Sequence, residues 1–181
     1  MTFRQSLSFV GRLAGARIGV TFNFYREGAG ADVRRERLAH YLAARRRSRF
    51  LLVGEAAGYR GARVSGVPFT SERQLTGLGQ AEASATIVHR VLRELGLEDD
   101  VLLWNLVPTH PHRPSEPSSN RPPNQAEIAA GRRFLDELAR GRRVVAIGRL
   151  AERELGEPYV RHPSHGGGNG FRDGLIRVLR G

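Results

Sequence analysis

The sequence has no cysteine among its 181 residues. That excludes disulfides, thiolate metal sites, cysteine nucleophiles and cysteine-bound iron–sulfur clusters. It has no lysine either: the 29 Lys-plus-Arg positions are all arginine. A Schiff base through a lysine side chain is therefore impossible, and only the N-terminal amine remains for such chemistry. No apolar run approaches the roughly 18 residues of a membrane span, so no membrane partner is expected. Residues 1–15 carry arginines but no continuous apolar core ending at a small-residue cleavage site. This argues against a signal peptide, and a cytoplasmic location is the expectation.

What the sequence has in excess is positive charge. The formal net charge is +11 and the sequence pI about 11.4. Such a balance suggests a polyanionic partner, most simply nucleic acid. A coding bias that favours arginine over lysine would produce the same excess, and charge alone does not separate the two. With 40% hydrophobic and 26% charged residues, the length and composition suit one globular domain spanning residues 1–181, expected to act as a monomer.

Three short apolar runs punctuate the chain: Phe50-Leu51-Leu52-Val53, Val101-Leu102-Leu103-Trp104 and Val144-Val145-Ala146-Ile147. Each reads as a buried strand, and Tyr159-Val160-Arg161 suggests a fourth. Helical patterns lie between them. One is expected from an Asp32 N-cap through Leu42, one over residues 80–95, one starting at Asn124 with acidic Glu127 at its third position, one over residues 150–155 and a last over residues 171–179. Residues 1–25 read as a helix followed by an extended segment. Strands apolar on both faces and alternating with helices imply a three-layer α/β/α fold around a four-stranded parallel sheet. In such sheets ligands bind beyond the carboxyl ends of the strands. The loops there are the glycine-rich stretch from Gly54, the proline-rich residues 107–123, and His162-Pro163-Ser164-His165.

Three of these segments together resemble the uracil-DNA glycosylase superfamily. They are Gly54-Glu55-Ala56-Ala57-Gly58 with the following Gly66-Val67-Pro68-Phe69, then Trp104-Asn105-Leu106-Val107-Pro108, and His162-Pro163-Ser164. They occur in the family's order, each after an expected strand. Asn120-Arg121-Pro122-Pro123 with Glu127 and Gly131 is similar to the bacterial and archaeal branches. The resemblance implies the fold already inferred and a DNA repair enzyme. Such an enzyme flips a base out of the stack and hydrolyses its N-glycosidic bond, leaving an abasic site.

It also implies roles. His162 resembles the histidine that donates a hydrogen bond to the base carbonyl as negative charge develops there; by itself it could be a structural histidine in a Pro turn. Phe69 resembles the aromatic floor under the flipped base, or it is a core residue closing its loop. Asn105 resembles the reader of the base edge, its amide offering both donor and acceptor; the bland alternative is a cap at a strand end. Trp104 reads as core. Gly54, Ala56 and Gly58 would let the backbone approach base and sugar. Ser164 orders the histidine turn and, with Arg161, His165 and Arg172, is a candidate for DNA phosphate contact.

The chain departs from the family pattern in several places. The position that handles water in the better-studied branches is Ala56, and the next, usually proline, is Ala57. Glu55 matches a branch that usually carries an iron–sulfur cluster, which this chain cannot hold. Glu55 is the candidate for positioning water, against a simple salt bridge to an arginine. Gly58 stands where a bulky residue often excludes thymine, so selectivity toward other deaminated bases is expected to relax. The candidate wedge for the hole left by the base is Arg172 or Phe171. His110-Pro111-His112 lacks acidic ligands at helical spacing, so no metal and no cofactor is expected. The basic run Arg45-Arg46-Arg47-Ser48-Arg49 reads as a phosphate contact or a solvated face. Two other functions stay open: a DNA or lesion binder that has lost catalysis, and an unrelated α/β hydrolase acting on nucleosides.

Overall fold

The computed structural model describes residues 1–164 and 166–180. In chain order, α1 (Phe3–Gly15) and α2 (Ala31–Ala44) precede β1 (Phe50–Ala56). Then come α3 (Ala62–Ser65), α4 (Glu72–Thr76), α5 (Ala83–Glu94) and β2 (Val101–Val107). The remainder is α6 (Gln125–Ala139), β3 (Arg143–Ile147), α7 (Arg149–Leu155), β4 (Tyr159–Val160) and α8 (Gly168–Arg180).

The four strands form one parallel sheet in the order β2-β1-β3-β4. Side chains alternate between the faces of a strand, and the core divides accordingly. Leu51, Val53, Leu102, Trp104 and Ala146 pack with α1, α2 and α6 on one face. Leu52, Leu103, Val145 and Ile147 pack with Val88 and Leu92 of α5 and with Phe171 and Leu175 of α8 on the other. This is the expected three-layer arrangement, and every residue of β2 is buried. Full burial of one such aliphatic or aromatic side chain is worth about 1.5–3 kcal/mol. No described helix is long and apolar enough to cross a membrane.

Local chemistry explains where the helices start. Thr2 and Gln5 form a reciprocal capping box on α1, and Asn124 and Glu127 form one on α6. For α2 the expected Asp32 cap is corrected. The N-cap is Gly30, in left-handed backbone at φ 76°, and Asp32 sits in the first turn. Arg34 explains the shift. Its guanidinium donates to the carbonyls of Phe24 (2.6 Å) and Ala29 (2.9 Å), pinning the preceding loop and leaving glycine to make the turn. The helix expected over residues 80–95 begins at Ala83, after an N-cap at Glu82.

Candidate active site

Parallel register brings the first two motifs side by side, because Gly54 of β1 pairs with Asn105 of β2. Both belong to the sheet face covered by α5, since Gly54 shares the alternation of Leu52, and Asn105 that of Leu103. A side chain on Gly54 would run into the Phe69 ring and approach Asn105 Oδ1 to 3.1 Å. Glycine at 54 is thus what lets the aromatic ring and the amide close on one another.

Phe69 is the only described non-glycine residue with positive φ, 51°. For a bulky residue this is strained backbone, costing about 1–3 kcal/mol, and it persists only where neighbours enforce it. The enforcement is visible. The buried Ser65 hydroxyl donates to the Thr70 carbonyl at 2.6 Å and accepts from the Val67 N–H at 3.0 Å. Thr70 Oγ1 lies 3.1 Å from His89 Nε2. Burial is the main influence on His89 and pushes its pKa down.

His162 follows β4 in a tight turn. Its Nδ1 lies 2.8 Å from the Ser164 hydroxyl and accepts from the Ser164 backbone N–H at 3.2 Å. A backbone N–H can only donate, so Nδ1 is the unprotonated nitrogen and the neutral ring carries its proton on Nε2. Gly167 completes the turn, since a side chain there would strike the His162 carbonyl.

These residues meet in a cavity of about 380 Å³ at the carboxyl ends of the strands, with Phe69, Asn105, His162, Ala56, Gly58 and Glu82 on its walls. Its size is that of ordinary small-ligand pockets, about 300–1,000 Å³. Two carboxylates border it. Glu55 has the opposite alternation to Gly54. Burial pushes its pKa up and Arg153 of α7 pulls it back. Glu82 is pushed up by burial, with no charge opposing. Arg121 also reaches the cavity. Its guanidinium is held in a two-pronged ion pair with the buried Glu127, at 2.6 and 2.8 Å, and donates to the His112 carbonyl at 2.9 Å. Burial raises the Glu127 pKa, but hydrogen bonds from Arg121 and the Asn124 backbone outweigh it and hold the carboxyl below the usual range.

Comparison with known proteins decides the lineage. The family profile described as the Uracil DNA glycosylase superfamily matches residues 42–175 of the 181. The chain belongs to that superfamily. Among solved structures it is similar to the crystal structure of wild-type Pedobacter heparinus SMUG2. The two share 16% identity and a TM-score of 0.72, over 99% of this chain and 97% of that one. At that identity the likeness speaks for the fold. A search of curated proteins finds no match.

As a uracil DNA glycosylase superfamily member, the chain has its three motifs around one cavity. The additional Asn120–Gly131 pattern is largely architectural. Asn120 Oδ1 accepts from the Tyr59 N–H at 2.9 Å, latching the proline-rich loop to the first motif. Gly131 lets α6 approach, as a side chain there would hit the Leu106 carbonyl. His110 is buried, and its Nδ1 donates to the Ala57 carbonyl at 2.9 Å. Its burial pushes the pKa down. Among the described residues no group of three or more His, Asp or Glu side chains is arranged for a metal. An iron–sulfur cluster finds no thiolates in this superfamily member, and no step runs through one.

The other expected DNA contacts are scattered. Arg161 is exposed beside the histidine turn, its side chain lying against Gly167 and Gly170. Arg172 lies on α8 within 3.6 Å of Glu94 and of Asp173. His165 lies outside the described residues. Phe171 is fully buried in the α5–α8 core, which corrects its reading as a wedge: the first apolar residue of an amphipathic helix was claimed by the sheet. Three residues escaped the sequence reading: Glu82 and Ser84 on the cavity wall, and Ser65 beneath the Phe69 loop. Only Glu82 left a trace in the sequence, as a glutamate where a helix start favours Ser, Thr, Asp or Asn.

Proposed function

We propose that this chain is a monofunctional DNA glycosylase that takes uracil, or another deaminated base, into the cavity and hydrolyses its bond to deoxyribose. The supporting observation is the convergence of Phe69, Asn105 and His162 on one cavity, with the His162 proton assigned to Nε2. The base stacks on Phe69, an interaction worth about 1–3 kcal/mol. Asn105, buried at the end of β2, reads adjacent N–H and C=O groups of the base edge. As the glycosidic bond breaks, its electron pair moves onto the base, and the Nε2–H of His162 stabilises the carbonyl oxygen that takes the charge. Water supplies the new bond to the sugar. Lysine chemistry is excluded by composition, and Met1 lies in a cleft at the opposite end of the sheet, which argues against strand-cutting through an enzyme amine.

The test is excision from a labelled oligonucleotide bearing one uracil, single-stranded and opposite each base, followed by hypoxanthine and xanthine. Alkaline cleavage reveals the abasic site. Excision that vanishes in His162→Ala while DNA affinity persists is the expected result. A second reading, a lesion binder without turnover, is favoured by Ala56 and Ala57 in the first motif. Tight lesion binding with no abasic product from any of these bases would establish it.

A further inference from the structure

The proposed reaction needs a group to orient water and accept its proton, and at Ala56 the first motif offers only a methyl group. The missing function has a candidate elsewhere on the wall. Glu82 is the N-cap residue of α5, yet its side chain makes no capping hydrogen bond. The carboxylate turns instead onto the first-motif loop. A side chain on Gly58 would collide with its Oε1, and one on Gly61 with its Oε2. The space above Gly58 is therefore occupied by a carboxylate. Among the described residues no hydrogen bond or ion pair to this side chain is found, and burial is the only influence raising its pKa. A helix start that gives up its cap, and a half-buried acid left without a cation, break two local rules at once. Such breaks concentrate where function requires them.

Position separates Glu82 from Glu55. Alternation along β1 sends Glu55 to the face of Val53, toward Arg153 of α7. Gly54, Phe69 and Asn105 lie on the other face, which α5 covers and at whose end Glu82 sits.

We infer, on the basis of the glycosylase reading, that Glu82 is the general base for the attacking water and takes the place of the acid or amide missing at position 56. In this step one O–H bond of water breaks and its proton passes to Glu82. The oxygen bonds to C1′ of the sugar, and the C1′–N bond breaks, with its electron pair leaving on the base beside His162. Nothing beyond water and the DNA is consumed. The carboxylate also faces the positive charge that develops on the sugar.

The experiment compares wild type, Glu82→Gln, Glu82→Asp, Glu55→Gln and His162→Ala in single-turnover excision between pH 4.5 and 9, with DNA affinity measured alongside. The other titratable groups around Glu82 are Glu55, His162 and Arg121 on the cavity wall, and Tyr59, Arg60 and Arg63 on the facing loop. The pH readout is therefore the difference between wild type and Glu82→Gln. General-base removal typically costs about 10²–10⁴-fold, and that loss is expected for Glu82→Gln with DNA affinity within twofold. The acidic limb of the wild-type profile disappears in this variant. Glu82→Asp recovers part of the rate, and Glu55→Gln loses less than Glu82→Gln. The amide is isosteric and removes a half-buried charge, so an unchanged or higher melting temperature shows that loss of rate is not loss of fold. Excision by Glu82→Gln within threefold of wild type, or with the acidic limb intact, overturns the inference. If His162→Ala is inactive in that case, the glycosylase reading stands without it. A wild-type chain that excises no base overturns both.

Discussion

Two hollows lie at opposite ends of the same parallel sheet and could hardly differ more. The one at the amino ends, about 600 Å³, is lined by Arg12, Arg46, Arg47, Arg49, Arg140 and Arg142 against the single acid Glu137. The one at the carboxyl ends, about 380 Å³, has one arginine and two glutamates on its wall. A search guided by charge would choose the first; strand polarity and the motifs choose the second. Many of the arginines are structural. Arg12 pairs with Glu137 and Arg49 with Asp100, each at 2.6 Å. Arg142 donates to the Leu138 carbonyl at 2.7 Å and to Ser48 at 3.2 Å. Arg37 makes a two-pronged pair with Glu72, at 2.8 and 3.0 Å. A net charge of +11 therefore describes the attraction of the whole surface for a polyanion and does not locate the chemistry. The basic run from Arg45 to Arg49 lies at the far end from the cavity, where Arg45 and Arg49 pair with Asp99 and Asp100.

The contrast can be sharpened by substitutions on each side. The largest effect is expected from His162→Ala, which removes the donor to the leaving base. Loss of one such donor costs about 10²–10³-fold in rate, and DNA affinity should stay within a few-fold. Full activity in that variant would falsify the placement of chemistry at this cavity. Next comes Arg121→Ala, which strands the buried Glu127 carboxylate. Breaking a buried pair in this way costs about 3–5 kcal/mol, readable by urea denaturation, and the deficit should shrink in acid. The sign follows from the depressed pKa of Glu127. Its pairing stabilises the fold above the ordinary glutamate range and is lost as pH falls through the lowered value. Gly54→Ala should cost about 1–3 kcal/mol of overpacking and lower excision by displacing the Phe69 ring. A variant as active and stable as the wild type would show that the ring position is not critical.

A gentler acid effect is expected from His89 and His110, whose folded pKa values are both lowered by burial. The unfolded chain then binds more protons, so stability is complete above about pH 6.5, the unperturbed histidine value, and declines below it. Thermal melts at pH 7.5 and 5.5 read this directly, and His110→Asn should flatten the dependence. The smallest effect belongs to the basic cleft. Replacing Arg46, Arg47 and Arg140 together by Gln should leave the rate of base excision unchanged. The slope of log affinity against log salt should stay the same too, since every arginine that neutralises a DNA phosphate adds about 0.9 to its steepness. A slope shallower by two or more would bring the cleft into the DNA footprint.

The legible and illegible parts of this molecule divide along physical lines. Apolar runs announced β1, β2 and β3 because a buried parallel strand leaves no polar alternation to confuse. Asn124 and Glu127 announced α6 because a capping box is chemistry within four residues. The register of β1 against β2, which only the structure supplies, places Asn105 beside Gly54. What the sequence hid depends on distant contacts. Phe69 adopts a left-handed backbone only because Ser65 and Thr70 hold its loop. Gly58 reads as empty space until the Glu82 carboxylate, from the start of another helix, is found over it. Phe171 reads as a candidate wedge until α8 is docked on the sheet. Gly30 took the cap from Asp32 because of an arginine one turn further on.

The contact between the Glu82 carboxylate and the two glycines has a consequence for descent. Positions 58, 61 and 82 compete for one small volume. A side chain gained at 58 takes the space of the Glu82 carboxylate, whose end must then swing aside from the loop. Relatives should therefore fall into two groups: those with glycines on the loop and a long acid facing them, and those with a filled loop and an acid or amide restored at position 56. Intermediates between the two should be rare.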